Sequence, residues 1–141
     1  MEATYLTKQL SDFAGGRRRS DVMAPIAAEL DPDDIQSLSV YFSRQPRPQG
    51  GGRTTTPHPG RQLYEEGNAE SGVRACATCH QLNGGGNLRS PRLAGQHAAY
   101  VIRQLSDFRS GRRANDREMV EVAKRLTPAE IRELAEYIAG L

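Results

Sequence analysis

Several features are scarce or absent in this sequence, and each absence narrows what the chain can be. No run of apolar residues approaches the roughly 20 that a membrane-spanning helix needs. The first residues of the sequence include neither a positively charged segment nor an apolar stretch, so they do not read as an export signal. Lys and Arg number 19 against 17 Asp and Glu, which argues against nucleic acid as a partner. With no Trp and three Phe in 141 residues, the chain has material for only a small core.

Only two Cys are present, and they lie in the motif Cys76-Ala77-Thr78-Cys79-His80. In a c-type haem site each thiol forms a thioether with a vinyl group, and the following His ligates the iron. A thioredoxin-like dithiol offers no reason for the His. A zinc site would need four ligands from two Cys and three His, with His58 in a Pro-rich stretch and His97 elsewhere. Apart from a chance pentapeptide, the motif therefore predicts one covalently attached haem c, and a sparse core suits so large an apolar cofactor.

The chain also contains an internal repeat. Tyr5–Phe13 matches Tyr100–Phe108, and Gly16-Arg17-Arg18 matches Gly111-Arg112-Arg113 in the same register. After one residue inserted in the second copy, the matched pairs are Met23 and Met119, Leu30 and Leu126, Pro32 and Pro128, Ile35 and Ile131, Leu38 and Leu134, and Tyr41 and Tyr137. So many matches in three segments indicate a duplication.

Each copy is predicted to form a helix, a loop and two further helices. Helical spacing of apolar residues in 100–108 is followed by Gly111, a typical helix end. The segment Thr127-Pro128-Ala129-Glu130 combines an N-cap, a Pro at the first helical position and an acid three residues on, which is a capping box. In the first copy Asp31-Pro32-Asp33-Asp34 is predicted to cap its helix in the same way.

Between the copies, residues 44–59 are rich in Pro, Gly and Thr and cannot build a core, so they are predicted to be a linker. A short helix then carries Leu63 and Tyr64 and ends near Gly67. The expected organisation is a partial repeat without the haem motif at 1–43, the linker at 44–59, and a complete domain at 60–141.

A haem held at His80 needs a ligand on its other face. Met119 follows a helix and a loop, where a thioether would reach the iron and raise its reduction potential. The alternative for Met119 is a core side chain that fills a gap. The Pro91 carbonyl could accept a hydrogen bond from the second nitrogen of His80, and its alternative is a simple turn residue.

Four segments, Leu63–Asn68, Gly72–His80, Pro91–His97 and Gln104–Met119, resemble class I c-type cytochromes, specifically the cytochrome c4 group. The resemblance covers about residues 60–141 as one whole domain. It implies an all-α class I cytochrome c fold around a covalently attached haem, preceded here by a partial duplicate of its C-terminal half. It also implies that Cys76 and Cys79 are the attachment thiols, His80 the proximal ligand and Met119 the distal ligand.

The resemblance further implies a periplasmic carrier of single electrons, not an enzyme, with redox partners such as a terminal oxidase or a dehydrogenase. Because haem is attached outside the cytoplasm in bacteria, we expect the export signal to have been removed or to lie upstream. The alternative is a haem c subunit of a larger redox enzyme, such as a sulfur-compound dehydrogenase or an oxidase complex. A third hypothesis makes the first repeat a device that docks the haem domain on such a complex.

The first repeat departs from the group, whose members have two haem domains in tandem, because it lacks the front half of a domain and its C-x-x-C-H motif. Only one haem can therefore be held covalently, and Met23 keeps the place of a distal ligand without an iron. A degenerate gene product, a fragment of a dihaem protein and a half-domain completed on another chain are the three explanations. The apolar stripe of Ile35, Leu38 and Phe42 needs a cover, so we expect residues 1–43 to pack on the haem domain or to mediate a homodimer.

Basic side chains follow the paired Gly positions of both copies. Such a run is usually a solvated surface. The alternative is that some of the cations pair with haem propionates or steer an acidic redox partner. These residues are Arg17, Arg18, Arg19, Arg112 and Arg113.

Overall fold

The computed structural model describes residues 1–46 and 58–141, so most of the predicted linker at 44–59 lies outside the described residues. Within these two ranges the chain is helical and forms no strand, and no helix in them is long and apolar enough to cross a membrane. The helices are α1 (Ala3–Ala14), α2 (Met23–Ala28), α3 (Pro32–Ser43), α4 (Pro59–Glu66), α5 (Ala77–His80), α6 (Ala98–Ser110), α7 (Arg117–Lys124) and α8 (Pro128–Gly140).

The two copies of the repeat fold alike, as the sequence predicts. Helices α1, α2 and α3 of the first copy correspond to α6, α7 and α8 of the second. Both α3 and α8 begin with a Pro inside a capping box. The Asp31 carboxylate accepts from the N–H of Asp34 at 2.8 Å, and the Thr127 hydroxyl accepts from the N–H of Glu130 at 3.2 Å. Each cap satisfies a backbone donor that the first helical turn leaves without a partner.

The main core lies in the second copy and the segment before it. Helix α8 packs against both α4 and α6, and its apolar face is buried between them. Tyr64 of α4 is fully covered and its ring lies 5.5 Å from that of Tyr137. The buried cluster consists of Leu63, Tyr64, Val73, Val101, Leu126, Ile131, Leu134, Ala135, Tyr137 and Ile138.

The first copy has no counterpart of α4 in the described part of the chain, and one face of α3 is consequently open. Phe42 is 55% exposed, whereas Ile138 at the matching place is 3% exposed. Tyr41 is 58% exposed, whereas Tyr137 is 4% exposed. Of the predicted stripe, Ile35 is buried as α3 packs on α1, but Phe42 is not covered.

The two copies meet through a pair of buried arginines. Arg18 and Arg113 form an antiparallel backbone bridge and are 8% and 7% exposed. Each guanidinium stacks on an aromatic ring of its own copy, Arg18 at 4.5 Å from Phe13 and Arg113 at 4.3 Å from Phe108. The solvated-surface interpretation is therefore wrong for these two residues, because both guanidinium groups are covered where the copies join.

Each of these arginines also donates hydrogen bonds across to the other copy. Arg18 donates to the Tyr100 hydroxyl at 2.9 Å and to Gln104 Oε1 at 2.8 Å. Arg113 donates to its repeat-related partners, the Tyr5 hydroxyl at 3.2 Å and Gln9 Oε1 at 3.1 Å. Residues 1–18 are thus attached to the second copy by a network with approximate two-fold symmetry.

Replacing Gly60 by Ala tests the contact between α4 and α8. A Cβ at this position would lie 2.1 Å from the Glu133 carbonyl oxygen, so the helices would have to separate. Helix propensity alone predicts a gain of up to about 1 kcal/mol for Gly→Ala, whereas overpacking typically costs about 1–3 kcal/mol. We expect a net loss of about 2 kcal/mol in the free energy of unfolding, measured by urea denaturation. Gln62→Ala, an exposed change in the same helix, should stay within about 0.5 kcal/mol of the parent chain; equal stability of both variants would contradict the close approach.

Candidate functional site

The motif Cys76–His80 folds as a single helical turn that brings its side chains to one side. The carbonyl of Cys76 accepts from the N–H of Cys79 at 3.2 Å and from that of His80 at 2.9 Å. Residues three apart on a helix are neighbours on its surface, so this turn sets the two thiols side by side. Both thiols are free and partly buried, and Cys76 packs against the main core. Burial raises the pKa of the Cys76 thiol to about 11.

The His80 imidazole is held in one orientation. It is 6% exposed, and its Nδ1 lies 2.8 Å from the carbonyl oxygen of Pro91. Because a carbonyl can only accept, Nδ1 carries the hydrogen. Burial lowers the pKa of His80, against the opposing effects of the Pro91 carbonyl and the Asp116 charge, and so favours the neutral ring. The lone pair is then on Nε2, which has no hydrogen-bond partner among residues 1–46 and 58–141; this is the form in which a His ligates iron.

The loop that carries Pro91 is tied to the His80 segment by backbone hydrogen bonds. The carbonyl of His80 accepts from the N–H of Gly86 at 3.0 Å, and the carbonyl of Gly84 accepts from Leu93 at 2.8 Å. Gly86 has a φ of 72°, and a Cβ there would lie 2.5 Å from the Pro91 carbonyl carbon. A glycine is needed at 86 because both its conformation and its contact exclude a side chain.

Two further residues belong to this site, and neither could be identified from its position in the sequence. The hydroxyl of buried Tyr64 donates to the carbonyl of Gln81, the residue after His80, at 2.7 Å. Arg92, next to Pro91, has a buried Nε with no hydrogen-bond partner in the described residues. A carboxylate beside Arg92 would satisfy this donor, and haem carries two propionates, so the chain fits the group that its motif predicts.

Met119 lies in the first turn of α7 and is partly buried. Its N–H donates to the carboxylate of Asp116, the N-cap of α7, at 3.0 Å. The charge of the same carboxylate opposes the lowering of the His80 pKa. In the first copy Met23 has an equivalent cap, because its N–H donates to Ser20 Oγ at 3.1 Å. The structure therefore brings Cys76, Cys79, His80 and Pro91 together, and it has Met119 in the first turn of α7, which Asp116 caps.

Comparisons with known proteins agree with this arrangement. The family profile described as Cytochrome c matches residues 58–141. Cytochrome c4 of Thiocapsa roseopersicina is 38% identical over 97% of this chain and 73% of its own length. A protein of Stutzerimonas stutzeri named thiosulfate dehydrogenase electron acceptor is 34% identical over all of this chain and 68% of its own length. The crystal structure of reduced recombinant cytochrome c4 from Pseudomonas stutzeri superposes with a TM-score of 0.89 at 35% identity, over 99% of this chain and 81% of that one.

The profile match covers well over half of the chain, and it includes the whole C-x-x-C-H segment. The helical fold also matches, with no strand in the described ranges. A cytochrome c domain implies covalently bound haem c, and Cys76 and Cys79 fit its attachment motif. The chain belongs to the cytochrome c family and, within it, to the cytochrome c4 group.

Proposed function

We propose that this chain carries single electrons through one haem c bound to Cys76 and Cys79, whose iron His80 and Met119 would ligate. The observation that carries the proposal is the fixed His80 ring, whose Nδ1–H is bound to the Pro91 carbonyl at 2.8 Å. That hydrogen bond leaves Nε2 available and fixes its direction. No acid–base pair or substrate site has to be invoked, since the chain acts as an electron carrier and not as an enzyme.

Different residues would attach the haem, orient the ligand to its iron and set its reduction potential. The bound haem supplies an iron that takes up and releases one electron. The two thioethers keep the group attached, and burial of His80 keeps water away from the imidazole. A Met thioether opposite a His favours the ferrous state and raises the reduction potential. Ligation on both faces limits rearrangement on electron transfer.

We place this function in the periplasm, between redox proteins. The likeness to a protein named thiosulfate dehydrogenase electron acceptor supports a dehydrogenase as electron donor. It also supports the second candidate, in which the chain is the haem c subunit of a larger redox enzyme. A terminal oxidase is the acceptor that we propose by analogy with the cytochrome c4 group.

Loss of both thiols should abolish covalent haem attachment. Cys76→Ala or Cys79→Ala leaves a single thioether, and the double change leaves none. We expect haem retention after acid–acetone extraction to fall at least about tenfold in the double variant. Thr78→Ala, which changes the exposed residue between the thiols, serves as the control and should retain haem fully. Equal retention in all variants would contradict attachment at this motif.

Carbon monoxide binding to the ferrous protein tests Met119 and separates the carrier from an open-site enzyme. In the parent chain the Met119 thioether would compete with carbon monoxide for the iron, so binding should be slow. Met119→Ala should speed it at least about tenfold, the effect of removing roughly 1.4 kcal/mol of barrier. Met23→Ala, the repeat-related control, should leave the rate unchanged. Rapid binding by the parent chain would favour ligand chemistry over electron transfer.

We also propose a homodimer through the open face of α3. This face includes a groove of about 590 Å³ lined by Gln36, Ser37, Val40, Tyr41, Arg44 and Gln45. Exposed aromatic side chains of this kind favour association, and full burial of one is worth about 1.5–3 kcal/mol.

Sedimentation equilibrium of the full chain tests the homodimer. Tyr41→Ser with Phe42→Ser should weaken dimer formation at least about tenfold. Leu88→Ser, which removes an exposed apolar side chain from a different region, is the control and should leave association unchanged. A parent chain that stays monomeric at high concentration would rule the dimer out.

A further inference from the structure

The single residue that breaks the internal repeat lies in the loop before α7. Arg18 and Arg113 are equivalent and form a backbone bridge. Ser20 and Asp116 are also equivalent, because each accepts from the N–H of the matching Met. One residue separates Arg18 from Ser20, whereas Ala114 and Asn115 both lie between Arg113 and Asp116. The extra residue of the second copy is therefore Ala114 or Asn115.

Asn115 makes four hydrogen bonds to side chains, three of them to α1 of the first copy. Its Nδ2 donates to Asp12 Oδ2 at 2.8 Å and to Gln9 Oε1 at 3.1 Å. Its carbonyl oxygen accepts from Lys8 Nζ at 2.8 Å. Its Oδ1 accepts from Arg113 Nε at 3.0 Å. Both its side chain and its backbone are thus attached to the first copy or to the buried network between the copies.

Asp12 is the charged centre of this contact. It is 4% exposed, and its carboxylate also accepts from Lys8 at 2.5 Å and from Arg17 at 2.7 Å. These hydrogen bonds and that from Asn115 hold the pKa of Asp12 below its ordinary value despite its burial. Asp107, its equivalent in the second copy, makes no side-chain hydrogen bond or ion pair within the described ranges. Only the carboxylate of the first copy therefore makes this contact with the other copy.

The contact ends at the turn that carries Met119. Asn115 directly precedes Asp116, which caps α7 and accepts from the N–H of Met119. A shift of Asn115 would move this cap, and the first turn of α7 would follow it. Because a thioether binds iron weakly, we expect a displacement of the helix that carries Met119 to weaken this bond.

We propose that Lys8, Gln9 and Asp12 are positioning residues, which hold Asn115 and thereby set where Met119 stands relative to the haem iron. This inference rests on the proposed role of Met119 as the distal ligand. It gives α1 of the first copy a function in the second copy, because α1 acts as a clamp on the loop before α7. We refer to Lys8, Gln9, Asp12 and Asn115 as the loop clamp.

Two variants release the loop clamp from opposite sides. Asp12→Ala removes the carboxylate, and Asn115→Ala removes the side chain that it holds. We expect each to speed carbon monoxide binding to the ferrous protein about tenfold, which corresponds to about 1.4 kcal/mol. Each should also weaken the absorption band of the thioether–ferric iron bond and increase amide hydrogen exchange over residues 114–120. Asp107→Ala is the matched control and should change none of the three.

The double variant tests whether the two residues act through one contact. Asp12→Ala with Asn115→Ala should have no larger effect than either single change, since the second substitution has nothing further to release. If the parent chain has the thioether band but both single variants match Asp107→Ala, the loop clamp is overturned and the proposed function stands. If the parent chain itself lacks the band and binds carbon monoxide rapidly, the distal role of Met119 fails and the inference falls with it.

Discussion

The hydrogen bond from His80 Nδ1 to the Pro91 carbonyl is the interaction on which the rest of the site depends. It assigns the hydrogen to one ring nitrogen, and burial keeps the ring neutral, so Nε2 is left as a ligand of fixed direction. The loop around Pro91 holds that carbonyl in place. Gly84 and Gly86 allow their own backbone to approach that of residues 90–94, and Tyr64 donates to the carbonyl of Gln81, the residue after His80. Covalent attachment through two thiols then needs only one helical turn.

The duplication explains why the two copies have the same helices, and it makes the difference in burial between their last helices visible. The second copy has α4 to cover its last helix, whereas the first leaves Tyr41 and Phe42 open and buries Ser39 Oγ without a partner in the described residues. Tyr5, Gln9 and Arg18 of the first copy match Tyr100, Gln104 and Arg113 of the second, and these residues join the two copies. Contact with the second copy is therefore what the described residues of the first copy support.

Much of the fold could be predicted from the sequence, because local signals were strong. The capping boxes at Asp31 and Thr127 and the helix end at Gly111 depend on residues close in the chain, and all are confirmed. The burial of Arg18 and Arg113 could not be predicted, since a run of cations gives no sign of the Gln and Tyr acceptors that lie more than 80 residues away in the other copy. Arg92 was missed because only the folded loop shows that its Nε is buried. The extra residue at 114–115 was visible in the alignment of the copies, but its contacts required the structure.

The intact mass of the native protein, measured under denaturing conditions, tests the central claim most directly. One haem attached through Cys76 and Cys79 predicts that the polypeptide carries the added mass of one haem at these two residues, with both thiols blocked to alkylation. A polypeptide that lacks this added mass and has two alkylatable thiols would contradict the account.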